Sequence, residues 1–490
     1  MCALALALGA AGIACSKGPE KPAAPPPGVE VNDVHAGVNP TRVAELTMPA
    51  SIHDVQATIR RAKTAGLAVS IAGTRHAMGG QQFGAGTILI DMTGMKDVLR
   101  FDREQGLIEA EAGITWPDLL AYLRDHQADP GPQWGFRQKQ TGADRLTLGG
   151  ALASNAHGHG LAMKPIVDDV ESLVLVDPEG NMRRCSRREN PGLFRLAIGG
   201  YGLFGVIAHV ELRLVKRVRV QKLVEEAQVK DLPALFEKRI RDGFTYGDFQ
   251  FAIDPQSEDF LRRGVLSCWR PVKDATPLTA EPKVLSEENL AELYYLAHAD
   301  PAAAYERDSS FMLGTTGEVG WSDEHQMGLA LENYHEALDV RLGSKEPGTE
   351  LLTELDVPRD RLPEFLEDVR AAMLELKFAP IEGTVRLVDR EDATFLPYAR
   401  GAIAAVNINL HVAHSKEGLL AAAVRFRRLI DLARARGGSF SLAYHRFATK
   451  EQIEACYPEF GDFLAQKRQF DPQERFQSDW YRAMKSMFQP

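Results

Sequence analysis

Cysteine is scarce in this chain: five among 490 residues, at Cys2, Cys15, Cys185, Cys268 and Cys456. None forms a CxxC pair or sits at a metal-ligating spacing. That argues against a disulfide scaffold and against a structural zinc centre, and no metal is expected from the sequence. Positive charge is also short. There are 57 Lys and Arg against 67 Asp and Glu, a formal net charge of −10, and no basic block. Such a chain lacks the electrostatic footprint of a nucleic-acid binder, and no nucleic-acid partner is expected. No repeat of solenoid period stands out. The two common nucleotide signatures are missing as well: no GxGxxG opens a helix, and no GxxxxGK[ST] occurs.

What is present is ordinary for a globular protein, with 44% hydrophobic and 25% charged residues. The length suggests two or more domains with ample core. The N-terminal stretch is set apart from them. Ala3 to Ala14 is small and apolar, as long as a secretory h-region and too short to span a bilayer. It ends at Gly12-Ile13-Ala14-Cys15, which resembles a bacterial lipoprotein processing site, and the Pro-rich stretch from Lys17 to Pro27 reads as an extended linker. The expectation is an exported protein, periplasmic or held to a membrane by lipid on Cys15. It would be cytoplasmic if the segment is not a signal.

Periodicity supplies the elements. Ser51 can cap a helix running to about Ala65, with Ile52, Val55, Ile59 and Ala62 on one face and Gly66 ending it. An apolar strand, Leu67 to Ile71, feeds a Gly-rich loop, and a second strand runs from Thr87 to Asp91. Another Gly-rich loop spans Gly149 to Gly160. Beyond it lie strands at Leu173–Val176 and Ala208–Leu214. The second half mixes alternating strands with helical stripes at Leu362, Phe365, Leu366, Val369 and Met373, and at Ala423, Phe426, Ile430 and Ala433.

Two Gly-rich loops within about a hundred residues need a common reason. Glycines let backbone N–H groups converge on an anion, and two loops gripping one diphosphate would explain both. The ordered set Gly73-Thr74-Arg75-His76, then Gly149 to Gly160 with its His157-Gly158 and His159-Gly160, then Gly199-Gly200-Tyr201-Gly202-Leu203-Phe204-Gly205-Val206-Ile207, resembles the FAD-binding domain of the vanillyl-alcohol oxidase family, also called the p-cresol methylhydroxylase type. The resemblance covers roughly Asn39 to Val215. It implies FAD as cofactor, bound by Gly73, Thr74, Arg75, His76, Ala77, Gly80, Gln81, Thr141, Gly142, Gly149, Gly150, Ser154, Asn155, His157 and Gly158, with Val206 and Ile207 against the adenine. It also implies a covalent link from His76 to the flavin. Ala77 stands where Ser is common.

The fold class that follows is α+β. A two-subdomain FAD-binding domain is expected over 39–218, and a substrate (cap) domain with an antiparallel sheet flanked by helices over 219–464. Residues 465–490 are expected to return to the first domain, and 1–38 form the leader and linker.

Three strands of the second half have one apolar and one polar face. Asp248 and Gln250 alternate with Phe249 and Phe251. Thr384 and Arg386 alternate with Val385 and Leu387. Asn407, Asn409 and His411 alternate with Val406, Ile408 and Leu410. A wall presenting Gln250, Asn407, Asn409 and Arg386 suits several hydroxyls. This half resembles sugar-acting members of the family, the alditol and aldonolactone oxidases and decaprenylphosphoryl ribose oxidase. Two departures bear on the chemistry. The acid usually found two positions before the strand arginine is Thr384 here, and the usual lysine falls at Tyr444. With those missing, the candidates for general base are His445 and then His411, with Tyr444 as an alternative and Arg386 orienting substrate. The expected activity is oxidation of a CH–OH group, with electrons passing to oxygen or another acceptor. Two other readings remain: a flavin-dependent reductase of the UDP-N-acetylenolpyruvoylglucosamine reductase type, and a flavin-binding electron carrier without substrate chemistry.

Overall fold

The computed structural model describes residues 28–127, 133–328 and 330–489, so the apolar leader, Cys15 and the Pro-rich stretch lie outside the described residues. The chain is α+β, and three sheets carry the architecture. The smallest is parallel: Glu45–Thr47 and Val69–Ala72 flank Ile88–Asp91. Its helix, Ile52–Ala65, begins and ends as the sequence dictates. The Ser51 side chain accepts from the Asp54 N–H, and Gly66 closes the last turn at φ 68°. The second sheet is antiparallel, in the order Met182–Ser186, Val170–Val176, Val206–Arg213, Leu107–Glu111 and Val98–Asp102.

The third sheet is the largest, with eight antiparallel strands: Val319–Trp321, Arg219–Gln228, Arg263–Pro271, Tyr246–Phe251, Glu382–Val388, Ile403–Ala413, Gly348–Pro358 and Ser439–Phe440. Alternation gives its central strands two unlike faces. On one, Phe249, Val385, Leu387, Val406, Ile408, Leu410, Leu351 and Leu355 pack in a single core with the apolar stripes of helices Leu362–Leu376 and Lys416–Ala435. Each such side chain contributes about 1.5–3 kcal/mol on burial. The other face is polar, yet most of it is buried too, which sets up the site below.

One long strand has no counterpart in the sequence reading. Gly348–Pro358 carries Glu350, Glu354 and Asp356, residue types depleted in strands. Its Glu350/Glu354 and Leu351/Leu355 pairs also fit a helical i,i+4 spacing. Register overrides that local ambiguity, because the strand pairs residue for residue with Ile403–Ala413 along its whole length.

The chain's end docks on the parallel sheet. Val69 N–H donates to the Arg475 carbonyl at 2.6 Å and Gln477 N–H to the Val69 carbonyl at 2.9 Å. Phe476 is buried in that sheet's core beside Val55, Ile59 and Ile88.

Candidate active site

The two Gly-rich loops touch each other. A Cβ on Gly73 would lie 2.2 Å from Thr147 Oγ1, so only glycine lets the first loop sit against the head of the second. Thr147 also accepts from Gly150 N–H at 3.2 Å and caps the short helix Leu148–Ala153. Ser154 Oγ returns to the Gly150 carbonyl at 3.2 Å. At Gly158 a Cβ would stand 2.7 Å from the Lys139 carbonyl, which brings the segment bearing Thr141 and Gly142 beside the second loop.

The first loop is held from several sides. Arg75, at φ 63°, donates to the buried Asp91 at 2.8 Å. Gln82 brackets Ala77 through its N–H and carbonyl. Gln81 Nε2 donates to the carbonyls of Leu442 and Ala443 at 2.8 and 3.0 Å, tying the loop to the turn that carries Tyr444. Val206 and Ile207 are buried at the head of their strand, as a backbone contact requires. Asn155 is engaged within the protein. At φ 50° it donates to Glu391 at 3.2 Å and accepts from Val167 N–H at 3.2 Å.

Several polar atoms here are left over. Among the described residues, Thr141 Oγ1 and Gln81 Oε1 are buried with no hydrogen-bond partner, and the position of a Cβ on Gly142 has nothing within 4 Å. Buried polar atoms are rarely left unpaired, so orphans beside glycine backbone mark room for a polar group. Residues of this kind fit the diphosphate and ring system of FAD.

Across from the loops lies the polar face of the large sheet. Register places Gln250, Thr384, Asn407 and Glu354 in one row across four neighbouring strands. Glu354 is 4% exposed and is the centre of a cluster. His157 Nε2, from the second loop, lies 3.2 Å from its Oε2, and Asn407 Nδ2 donates to the same oxygen at 3.0 Å. The other nitrogen of His157 lies 2.8 Å from the Gly158 carbonyl. Both ring nitrogens therefore face acceptors. Burial opposes ionisation of Glu354, but His157 and the Asn407 amide outweigh it and hold this carboxyl below the usual carboxylate range. Two positions on, Asp356 is pushed well above that range by burial and by the charge of Glu354, and its Oδ1 has no partner. The pair thus divides into one ionised and one protonated carboxyl. Tyr444 lies against Glu354 with its hydroxyl pKa raised, by burial first and then by that charge.

The rest of the face is unsatisfied. Asp248 Oδ1, Thr384 Oγ1, Arg386 Nε and Asn409 Oδ1 are buried without hydrogen-bond partners, and Arg386 makes no ion pair among the described residues. Burial raises the pKa of both Asp248 and Glu382, with Arg386 opposing it.

The structure thus gathers Arg386, Asn407 and Tyr444 around Glu354, with Gln250 and Asn409 on the same face. It separates the two histidines. His445 faces the apolar side of the sheet, stacked on Phe426 at 4.7 Å and Phe447 at 5.2 Å, with Nε2 3.1 Å from Thr353 Oγ1. Thr353 and Glu354 are successive strand residues and point to opposite faces, so His445 cannot serve the polar side. Burial lowers its pKa to about 3, and it is a neutral core residue. His445→Ala is accordingly expected to cost about 2–4 kcal/mol in a denaturant melt, with flavin reduction changed by no more than a few-fold. His411 is on the correct face but is tied to Glu350, 3.1 Å away, one turn of the alternation beyond Asn409. Neither histidine stands at the Glu354 cluster. Glu354 itself escaped the sequence reading. The signal that could have found it is the Glu350, Glu354, Asp356 series in a strand opposite Asn407. Lys139 was also missed. It is fully buried beside Thr141, paired with Asp144 at 2.7 Å.

The comparisons with known proteins match two separate stretches of the chain. The profile of the FAD binding domain family matches residues 44–186, and that of D-arabinono-1,4-lactone oxidase matches residues 349–484. Both matched stretches are of the kind found in FAD-binding oxidoreductases near the sugar-acting members of the vanillyl-alcohol oxidase type. FAD is its cofactor. Among curated relatives, it is similar to the mitochondrial L-galactono-1,4-lactone dehydrogenase of Arabidopsis thaliana, 27% identical over 253 residues, which are 52% of this chain and 39% of the relative. It is similar to cytokinin dehydrogenase 4 of Oryza sativa subsp. japonica, 32% identical over 244 residues, 46% of this chain and 43% of the relative. An uncharacterized oxidoreductase of Rhodococcoides fascians is 31% identical over 181 residues, 36% of this chain and 40% of the relative. The chain spans less than half the length of each of these three relatives.

Proposed function

We propose that this flavoprotein oxidises a CH–OH carbon of a hydroxylated, sugar-like substrate lying between the two Gly-rich loops and the polar face of the large sheet. The observation that carries the reading is the row Gln250, Thr384, Asn407 and Glu354, half-buried at Gln250 and buried at the other three, facing His157 from the second Gly-rich loop. Aldonolactone-type relatives support the substrate class.

Bound FAD supplies the two-electron acceptor for the hydride of the carbinol carbon. The residues of the chain do the rest. Glu354, ionised and buried, takes the hydroxyl proton as the carbonyl forms. His157 keeps the carboxylate charged beforehand, and the Asn407 amide holds its orientation. The Arg386 guanidinium, whose Nε has no partner among the described residues, binds and orients substrate oxygens, and Thr384 Oγ1 and Asn409 Oδ1 take further hydroxyls. The carboxylate that alditol-type relatives would carry at 384 is here displaced two strands along the row, about 10 Å at the usual strand spacing. Covalent attachment of the flavin through His76 belongs to the same reading.

The test is anaerobic flavin bleaching with a panel of polyols, aldonolactones and sugars, run beside phenolic alcohols. Bleaching by at least one hydroxylated, sugar-like compound is expected. Arg386→Ala should raise its KM roughly ten- to a hundredfold, for about 1.5–3 kcal/mol of lost charged hydrogen bonding. Selective bleaching by phenols would overturn the substrate class, and no bleaching by any alcohol would favour an electron carrier. Export with a lipid on Cys15 is part of the proposal as well, and quantitative recovery of the chain in the cytosol with Met1 intact would refute it.

A further inference from the structure

We propose that His298, His335, Glu350 and His411 form a binding site for one divalent transition-metal ion of the zinc class. The four side chains come from helix Glu287–Ala299, helix His335–Leu342, strand Gly348–Pro358 and strand Ile403–Ala413. Their scatter along the chain is why no ligand spacing shows in the sequence. Ligand atoms of His298, Glu350 and His411 all lie within 4.8 Å of one another, and His335 Nδ1 is 2.6 Å from Glu350 Oε2. The Glu350 side chain is completely buried.

The orientation of the rings is the main argument. His298 Nδ1 lies 2.7 Å from the Tyr294 carbonyl and His335 Nε2 3.0 Å from the His35 carbonyl. A carbonyl can only accept, so each ring directs an N–H outward and its other nitrogen inward, toward Glu350. Those inward nitrogens, His298 Nε2 and His335 Nδ1, are buried and complete no well-aligned hydrogen bond among the described residues, although a carboxylate stands 3.6 and 2.6 Å away. The His298 side chain is only 9% exposed. Several ring nitrogens converging on one completely buried carboxylate call for positive charge among them, and a bound cation would supply it at their centre. Ligating histidines typically donate their second N–H to a carbonyl, as both do here. The carboxylate has its own supporting bond: Tyr334 OH donates to Oε2 at 2.9 Å. The ring of His411 lies over Gly348, where a Cβ would come within 2.1 Å of Cε1, so the bare glycine admits it. Imidazole and carboxylate ligands suit Zn²⁺ at about 2.0–2.2 Å. The three grouped atoms would draw together around the ion, and His335 Nδ1 would move away from Glu350 Oε2 to stand as the fourth ligand.

The site is separate from the Glu354 cluster, about 13 Å away along the strand. It reaches the flavin loop by another path. The carbonyl of His35 buttresses His335, and Thr349 Oγ1 donates to the Ala36 carbonyl at 2.8 Å. The same segment donates Val34 N–H to the Arg75 carbonyl at 3.0 Å and Asn39 Nδ2 to the Met78 carbonyl at 2.7 Å. A bound ion would therefore brace the loop that carries His76.

The experiment uses the full flavin-loaded chain without a polyhistidine tag. Metal is stripped with a chelator, Zn²⁺ is titrated in competition with a chromophoric chelator, and metal content is measured on protein as purified. One Zn²⁺ per chain is expected, with affinity weakened a hundredfold or more in His298→Ala and in Glu350→Gln. Zn²⁺ should raise the Tm of the stripped wild type and leave that of His298→Ala unmoved. Flavin content and circular dichroism report whether each variant has folded, and the wild-type stoichiometry needs no variant. Failure of the wild type to bind one equivalent, or equal affinity in folded His298→Ala, would overturn the site. The cluster would then be an imidazolium–carboxylate network.

Discussion

Glu354→Gln should slow flavin reduction by roughly 10²–10⁴-fold while leaving substrate binding nearly intact. Glutamine keeps the size of the side chain and can still meet Asn407 and His157, but it cannot accept a proton. The loss therefore falls on the chemical step, and stopped-flow reduction at saturating substrate should show it as a fall in limiting rate with little change in half-saturation. Asn407→Ala should give a smaller loss, since it frees the carboxylate to rotate without removing it. If both variants reduce at the wild-type rate, Glu354 is not the base.

His76→Ala should abolish covalent flavin altogether. The ring of His76 is half-buried at the mouth of the first loop, and burial lowers its pKa, with Glu332 and Asp33 opposing. It is therefore neutral near pH 7, as a nucleophile toward the flavin must be. Its ring makes no hydrogen bond among the described residues, whereas the loop on either side is pinned by Arg75 to Asp91 and by Gln82 to Ala77. Denatured wild type should fluoresce as a flavin band on a gel and retain its colour through acid precipitation. The variant should show neither, though it can still hold FAD without the link. A wild type that releases all its flavin on acid precipitation would refute the attachment.

The cofactor side of the molecule was largely legible, because glycine, histidine and a following strand recur in a fixed order there and the packing of Gly73 on Thr147 leaves little choice of residue. The polar faces of three strands were legible for a similar reason: alternation at Asp248/Gln250, Thr384/Arg386 and Asn407/Asn409/His411 is a property of the strand itself. Which faces are adjacent is a matter of register, and that was not legible. Thr384 reads as a lost acid along one strand, yet across the sheet it shares a row with Asn407 and Glu354. The carboxylate was hidden in Gly348–Pro358, where acidic residues at i,i+4 imitate a helix. His445 failed for another reason. It sits in a turn, where no period says which way a side chain faces, and tertiary packing turned it onto Phe426. The His298, His335, Glu350 and His411 cluster draws on four separate elements, so nothing local could announce it.

The most direct measurement of the central claim is the pH dependence of the limiting rate of anaerobic flavin reduction by a bleaching polyol, lactone or sugar. Glu354 is held below the usual carboxylate range by His157 and Asn407 against the opposing effect of burial, and a base acts only when deprotonated. The wild-type rate should therefore stay flat from about pH 7 down to about pH 5, because an ordinary Glu titrates near 4.3 and this one lower. Glu354→Gln should be slow across the whole range. A wild-type rate that falls away below about pH 6.5, as a histidine base would give, or a Glu354→Gln rate equal to wild type, would contradict the account.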